Sequence, residues 1–115
     1  MLSERRYHPR LDVDFNVSII LSETNDTFLG NAKNLSLSGI QLIVDKQCID
    51  NILAQCNHPP QFQIKFCEQP QLEPTVVRLI VNRRVSQNQF FIGMKFINMT
   101  NSQQSVLKAI YHLPN

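Results

Sequence analysis

Val13-Asp14-Phe15-Asn16-Val17-Ser18-Ile19-Ile20-Leu21 alternates apolar and polar side chains along most of its length. Val13, Phe15, Val17, Ile19 and Leu21 fall on one side of an extended chain, and Asp14, Asn16 and Ser18 on the other. A period of two predicts a strand with one face in a core and the other in water. Thr24-Asn25-Asp26 then supplies turn chemistry, and residues 28–35 predict a second strand that returns beside the first as a hairpin.

Further along, Ser38-Gly39 breaks the second strand, and Ile40, Leu42 and Val44 alternate as a third. The period then changes. Ile49, Ile52, Leu53 and Cys56 recur at helical spacing, which predicts a short helix near residues 48–56, stopped by Asn57-His58-Pro59-Pro60. Phe62, Ile64 and Phe66 predict a fourth strand, and a proline-punctuated loop follows over 68–74. Residues 76–85 predict a fifth strand, apolar on both faces near Leu79-Ile80, and residues 90–96 a sixth. Thr100 with Gln103 matches a capping box, and Val106, Leu107, Ile110 and Leu113 form an apolar helical stripe behind it. Six short strands joined by turns, with a C-terminal helix to cover them, predict an all-β fold: a six-stranded antiparallel β-barrel. Residues 12–115 are expected to form one barrel domain, preceded by a mobile arm over residues 1–11.

Composition narrows the function. With 43% hydrophobic and 17% charged residues among 115, the chain can fold around a core. No apolar run approaches a membrane span, and the basic N-terminus leads into no apolar signal segment, so the expected location is the cytoplasm. Three cysteines (Cys48, Cys56 and Cys67) without a CxxC pair suit a reducing compartment. Their spacing with His58 does not fit a zinc finger, and no metal is expected. The formal charge is +2. Residues 1–10 hold three arginines and one glutamate, and the rest of the chain eight cations and eight carboxylates, so the surplus sits on the arm. That distribution suits a small anionic ligand better than a long nucleic acid. Asp12, Asp14 and Asp45 read as solubilising charges at strand edges, and Ser36 lacks the context of a nucleophile. No catalytic set emerges, so no enzyme is expected.

The chemistry concentrates in two segments. Arg5-Arg6-Tyr7-His8-Pro9-Arg10 sets Arg6 and Arg10 roughly 13 Å apart if extended, at about 3.3 Å per residue. A guanidinium fork matches the O6/N7 edge of guanine and also grips phosphate. Asn34-Leu35-Ser36-Leu37-Ser38-Gly39 complements it with an amide that donates and accepts, a short hydroxyl, and a glycine that lets backbone approach a ligand. As a plain turn, the same segment would use Gly39 for a positive φ. On the fifth strand Arg83 and Arg84 alternate in direction, so one is expected on the ligand surface and the other in solvent, while Arg78 and Lys95 read as outward strand residues.

Arg6-x-x-x-Arg10 followed by Asn34-x-Ser36-x-x-Gly39 resembles the two motifs of the PilZ domain, the bacterial receptor module for cyclic di-GMP. Phe91-Ile92-Gly93-Met94-Lys95-Phe96 is similar to that family's last barrel strand, and the resemblance covers about residues 4–113. It implies that Arg6 and Arg10 contact guanine edges and phosphates, and that Asn34, Ser36 and Gly39 line the other wall. An arginine at Arg5, just before the first motif, implies that the ligand binds as an intercalated dimer. It further implies an adaptor: ligand orders the arm, and the changed surface regulates an unidentified effector protein in motility, adhesion or biofilm control. The resemblance implies no cofactor, nucleic acid or membrane insertion, and leaves the oligomeric state open. Residues 47–60 run longer than the plain turn usual there, and no second domain is expected to carry an output. Two other readings remain: a ligand-independent PilZ-like adaptor, as in type IV pilus assembly, and a single-stranded nucleic-acid barrel. The second lacks the basic groove with exposed aromatics that such barrels need.

Overall fold

The structure, a computed structural model, describes residues 9–55 and 57–113. Among these it contains six strands: β1 (Leu11–Leu21), β2 (Asp26–Leu35), β3 (Gly39–Val44), β4 (Gln61–Phe66), β5 (Thr75–Arg84) and β6 (Phe90–Phe96). Two helices, α1 (Lys46–Leu53) and α2 (Asn101–Tyr111), complete it. The strands close into an antiparallel barrel in the order β1-β2-β3-β6-β5-β4. The expected all-β barrel with a C-terminal helix is therefore the fold observed.

Alternation does what the sequence requires of it. Val17, Ile19 and Leu21 of β1 meet Leu42 and Val44 of β3, Ile64 and Phe66 of β4, and Ile92 of β6 in one core. Burying each such side chain contributes roughly 1.5–3 kcal/mol relative to exposure. The β1–β2 turn forms around Leu21 O, which accepts from Thr24 N–H and Asn25 N–H at 3.3 and 2.7 Å, with Asn25 in the left-handed region at φ 60°. Asparagine tolerates that conformation better than most residues.

Each helix covers one end of the barrel. The first, α1, leaves β3 after Val44 and buries Cys48, Ile49 and Ile52. It starts two residues earlier than expected and ends at Leu53, because Asp45 is its N-cap: the carboxylate accepts from Cys48 N–H at 2.8 Å. Asp45 is thus a helix-starting residue rather than a solubilising edge charge. Asp45→Ala should cost about 1 kcal/mol of stability, read as a lower denaturation midpoint. Cys56, expected on this helix, lies outside the described residues. Burial, with the Asp45 carboxylate adding to it, pushes the Cys48 thiol up to about 12, so it stays protonated and unreactive at neutral pH.

At the opposite end, α2 begins with the expected capping box. Thr100 Oγ1 accepts from Gln103 N–H, and Gln103 Oε1 from Thr100 N–H. Its Tyr111 stacks on Phe15 at 4.9 Å and lies tilted against Phe66 at 6.0 Å. His112 ends the helix in the left-handed conformation.

One strand departs from its expected pattern. In β5, Leu79 pairs with Met94 and Val81 with Gly93, leaving Ile80 as an extra residue in a bulge. The bulge reverses the faces. Val77 and Leu79 point into the barrel, while Ile80 and Val81 are exposed, so of the Leu79-Ile80 pair only Leu79 is buried.

Candidate ligand-binding surface

Arg10 and the turn are brought together by the β1–β2 register. Leu11 pairs with Leu35 and Asp12 with Asn34, so Arg10, one step before β1, stands at the rim where β2 runs into the Ser36–Gly39 turn. Arg10 is exposed there. Arg5 and Arg6, with Tyr7 and His8, lie outside the described residues.

The turn is built by Ser36. Its N–H donates to Gly39 O at 2.9 Å, and its Oγ accepts from Ser38 N–H and Gly39 N–H at 3.1 and 3.2 Å. Ser36 is only 3% exposed, so its hydroxyl is directed into the turn rather than outward. Ser38 is exposed, and its carbonyl accepts from Phe96 N–H at 3.0 Å, which pins the turn to β6. Gly39 has no positive φ, contrary to the plain-turn reading. Glycine is required for a different reason: a Cβ would sit 2.3 Å from the carbonyl oxygen of Met94. The absence of a side chain lets β3 and β6 approach each other at the end of their ladder.

From the turn, a row of residues crosses the outer face of the barrel. Asn34 pairs with Gln41, Gln41 with Gly93, and Gly93 with Val81. The Asn34 Nδ2–H donates to Gln41 Oε1, which orients the amide and leaves Asn34 Oδ1 as an acceptor. Gly93 is buried between these neighbours: an added Cβ would meet Val81 Cβ at 3.4 Å and Gln41 Nε2 at 3.8 Å. One register step on, Arg83 lies over the Phe91 ring at 4.9 Å on this same face, while Arg84 lies over Phe90 at 5.1 Å on the other. Arg78 is half-buried and Lys95 exposed.

The surface therefore offers a cation at the rim, an oriented amide oxygen and an exposed serine. Such a set can hold a flat polar ring against the barrel wall while arginine meets its edge or an attached phosphate. An open depression of about 280 Å³, lined in part by Asn16, Asn31, Asp45 and Asn88, lies toward α1 and contains no motif residue. Among the described residues, no three His, Cys, Asp or Glu groups cluster as metal ligands. No helix there is long and apolar enough to cross a membrane.

The sequence pattern of the PilZ domain matches residues 4–112, nearly the whole chain. This chain belongs to the PilZ family. No curated protein sequence matches it. Its fold is shared with the PilZ domain of Escherichia coli YcgR, solved with c-di-GMP: TM-score 0.67, 18% identity, covering 93% of this chain and 88% of that one. The c-di-GMP complex of K. pneumonia MrkH is similar at TM-score 0.65 and 13% identity, over 96% of this chain and 55% of MrkH. The Bacillus subtilis inhibitor of motility, MotI/DgrA, is similar at TM-score 0.65 and 12% identity, over 90% of this chain and 47% of that one. The chain thus spans about half the length of MrkH and MotI/DgrA.

Two members of this PilZ surface escape sequence reasoning, Gln41 and Gly93. Each leaves a trace. Gln41 is a polar residue between the buried Ile40 and Leu42, and Gly93 interrupts an otherwise bulky strand.

Proposed function

We propose that this PilZ domain is a cyclic di-GMP receptor that acts on a partner protein rather than as an enzyme. The observation that carries the reading is the register that sets Arg10 beside the Asn34–Gly39 turn. Family membership supports it, as does the fold shared with the c-di-GMP-bound YcgR domain and MrkH. Arg6 and Arg10 grip guanine edges and phosphates. Asn34 presents Oδ1 to a guanine donor, and Ser36 and Gly39 hold the turn in the shape that allows it. Arg5 adds a contact to a second ligand molecule, so the ligand binds as an intercalated dimer. The ligand joins residues 1–10 to the barrel wall and so changes the surface that an effector meets. Regulation of motility is the favoured output, by analogy with the inhibitor of motility that shares the fold.

Calorimetric titration with cyclic di-GMP, against GTP and cyclic AMP, tests this. Selective binding with two ligands per chain is expected. One ligand per chain overturns the dimer, and no binding overturns the receptor. A second test uses Gly93. Gly93→Val brings its Cβ into van der Waals contact with Val81 and sets methyl groups beside Gln41. It should weaken binding by about tenfold or more while the chain stays folded, as read by titration beside circular dichroism.

A further inference from the structure

Among the described residues, no strand lies beside the outer edge of β5 over its second half. The neighbour β4 pairs with Thr75 to Arg78, and the last bond on that side runs from Leu79 N–H to Pro60 O at 2.9 Å. From Val81 to Arg84, β5 pairs with β6 alone among the described residues, and Ile80 is unpaired in the bulge. Edges of this kind are templates for strand addition. The side chains along it are unusually apolar for an edge: Ile80 is 61% exposed, Val81 43% and Val85 53%. Arg83 and Arg84 rise from opposite faces, each held over a phenylalanine ring. A cation stacked on a ring is preorganised, so less entropy is lost when a carboxylate meets it.

Charge then selects the occupant. From Pro74 to the C-terminus the chain carries five lysines and arginines and no carboxylate, whereas eight of its nine carboxylates fall between residues 12 and 73. The neutral sum for residues 11–115 conceals this division. A second copy of the chain would bring two more arginines to the same short edge. We infer that residues 80–84 of β5 form a docking edge for an extended acidic segment of a partner protein, which adds as a strand. Its backbone would pair with β5, apolar residues would cover Ile80, Val81 and Val85, and carboxylates would meet Arg83 and Arg84. The edge runs toward the α1 end of the barrel, away from the Arg10 rim; the inference does not depend on the cyclic di-GMP reading, but Val81 borders Gly93 of the proposed ligand row, so the test is run without cyclic di-GMP.

The test is a titration of the full chain with a synthetic peptide alternating glutamate and valine, read by amide hydrogen exchange. Slowed exchange at residues 80–84 is expected. Arg83→Glu combined with Arg84→Glu should weaken binding about tenfold or more, and so should replacing the peptide's glutamates by lysines, which leaves the protein untouched. Absence of binding, protection confined to other residues, or indifference to both charge reversals overturns the inference. Self-association through this edge, lost in the double variant, overturns it in favour of a second copy.

Discussion

Arg10→Ala is expected to weaken cyclic di-GMP binding by roughly ten- to over a hundredfold, because charge-assisted hydrogen bonds are worth about 1.5–3 kcal/mol each. The residue is exposed and precedes β1, so the barrel should still form. Its effect comes from position: the Leu11–Leu35 pair holds it beside the turn, within a side chain's reach of a ligand lying on the Asn34–Gln41–Gly93 row. Arg6→Ala is expected to lose as much. Arg83→Ala should lose much less, since its guanidinium is engaged with the Phe91 ring further along the barrel. Titration of the three variants decides the matter. Equal losses in all three would mean that general cationic charge, not the motif, attracts the ligand.

Gly39→Ala should damage both the fold and the site, by about 2–3 kcal/mol or more in unfolding free energy. The atom in the way, Met94 O, belongs to the backbone of β6 and cannot swing aside as a side chain would. Relief requires the ladder to open where Gly39 pairs with Lys95. Phe96 N–H would then lose Ser38 O, and the turn would lose its anchor. Denaturation measures the first effect and ligand titration the second. Gly39→Asn separates this cause from conformational strain. Asparagine would partly rescue a site that needed a positive φ. Here, where no glycine has one, it should do as badly as alanine. A stable, ligand-binding Gly39→Ala protein would show that the two strands separate at little cost.

Gly39 also illustrates how the family resemblance and the structure divide the work. The motif marks the position from the sequence, yet the reason for glycine there is contact with a strand more than fifty residues further along the chain. Ser36 behaves similarly. It is legible as a motif hydroxyl, but its burial and its two backbone donors make it the builder of the turn. For Asn34, the Gln41 partner that orients its amide became visible only once β2 and β3 were in register.

Much of this protein was determined locally. The alternation in β1, the Thr24-Asn25-Asp26 turn, the Thr100–Gln103 capping box and the stripe of α2 all follow from interactions a few residues apart, which leave a period in the sequence. Six strands of that kind, too short to bury their faces alone, lead to a closed antiparallel barrel. The tertiary structure decided the rest: the β3–β6 and β1–β4 pairings, the Ile80 bulge, and which of Arg83 and Arg84 shares the face of Gly93. Local energies hardly distinguish one register from the next. Only the requirement that every strand fill the same core while the barrel closes selects among them, and that requirement belongs to the whole chain at once.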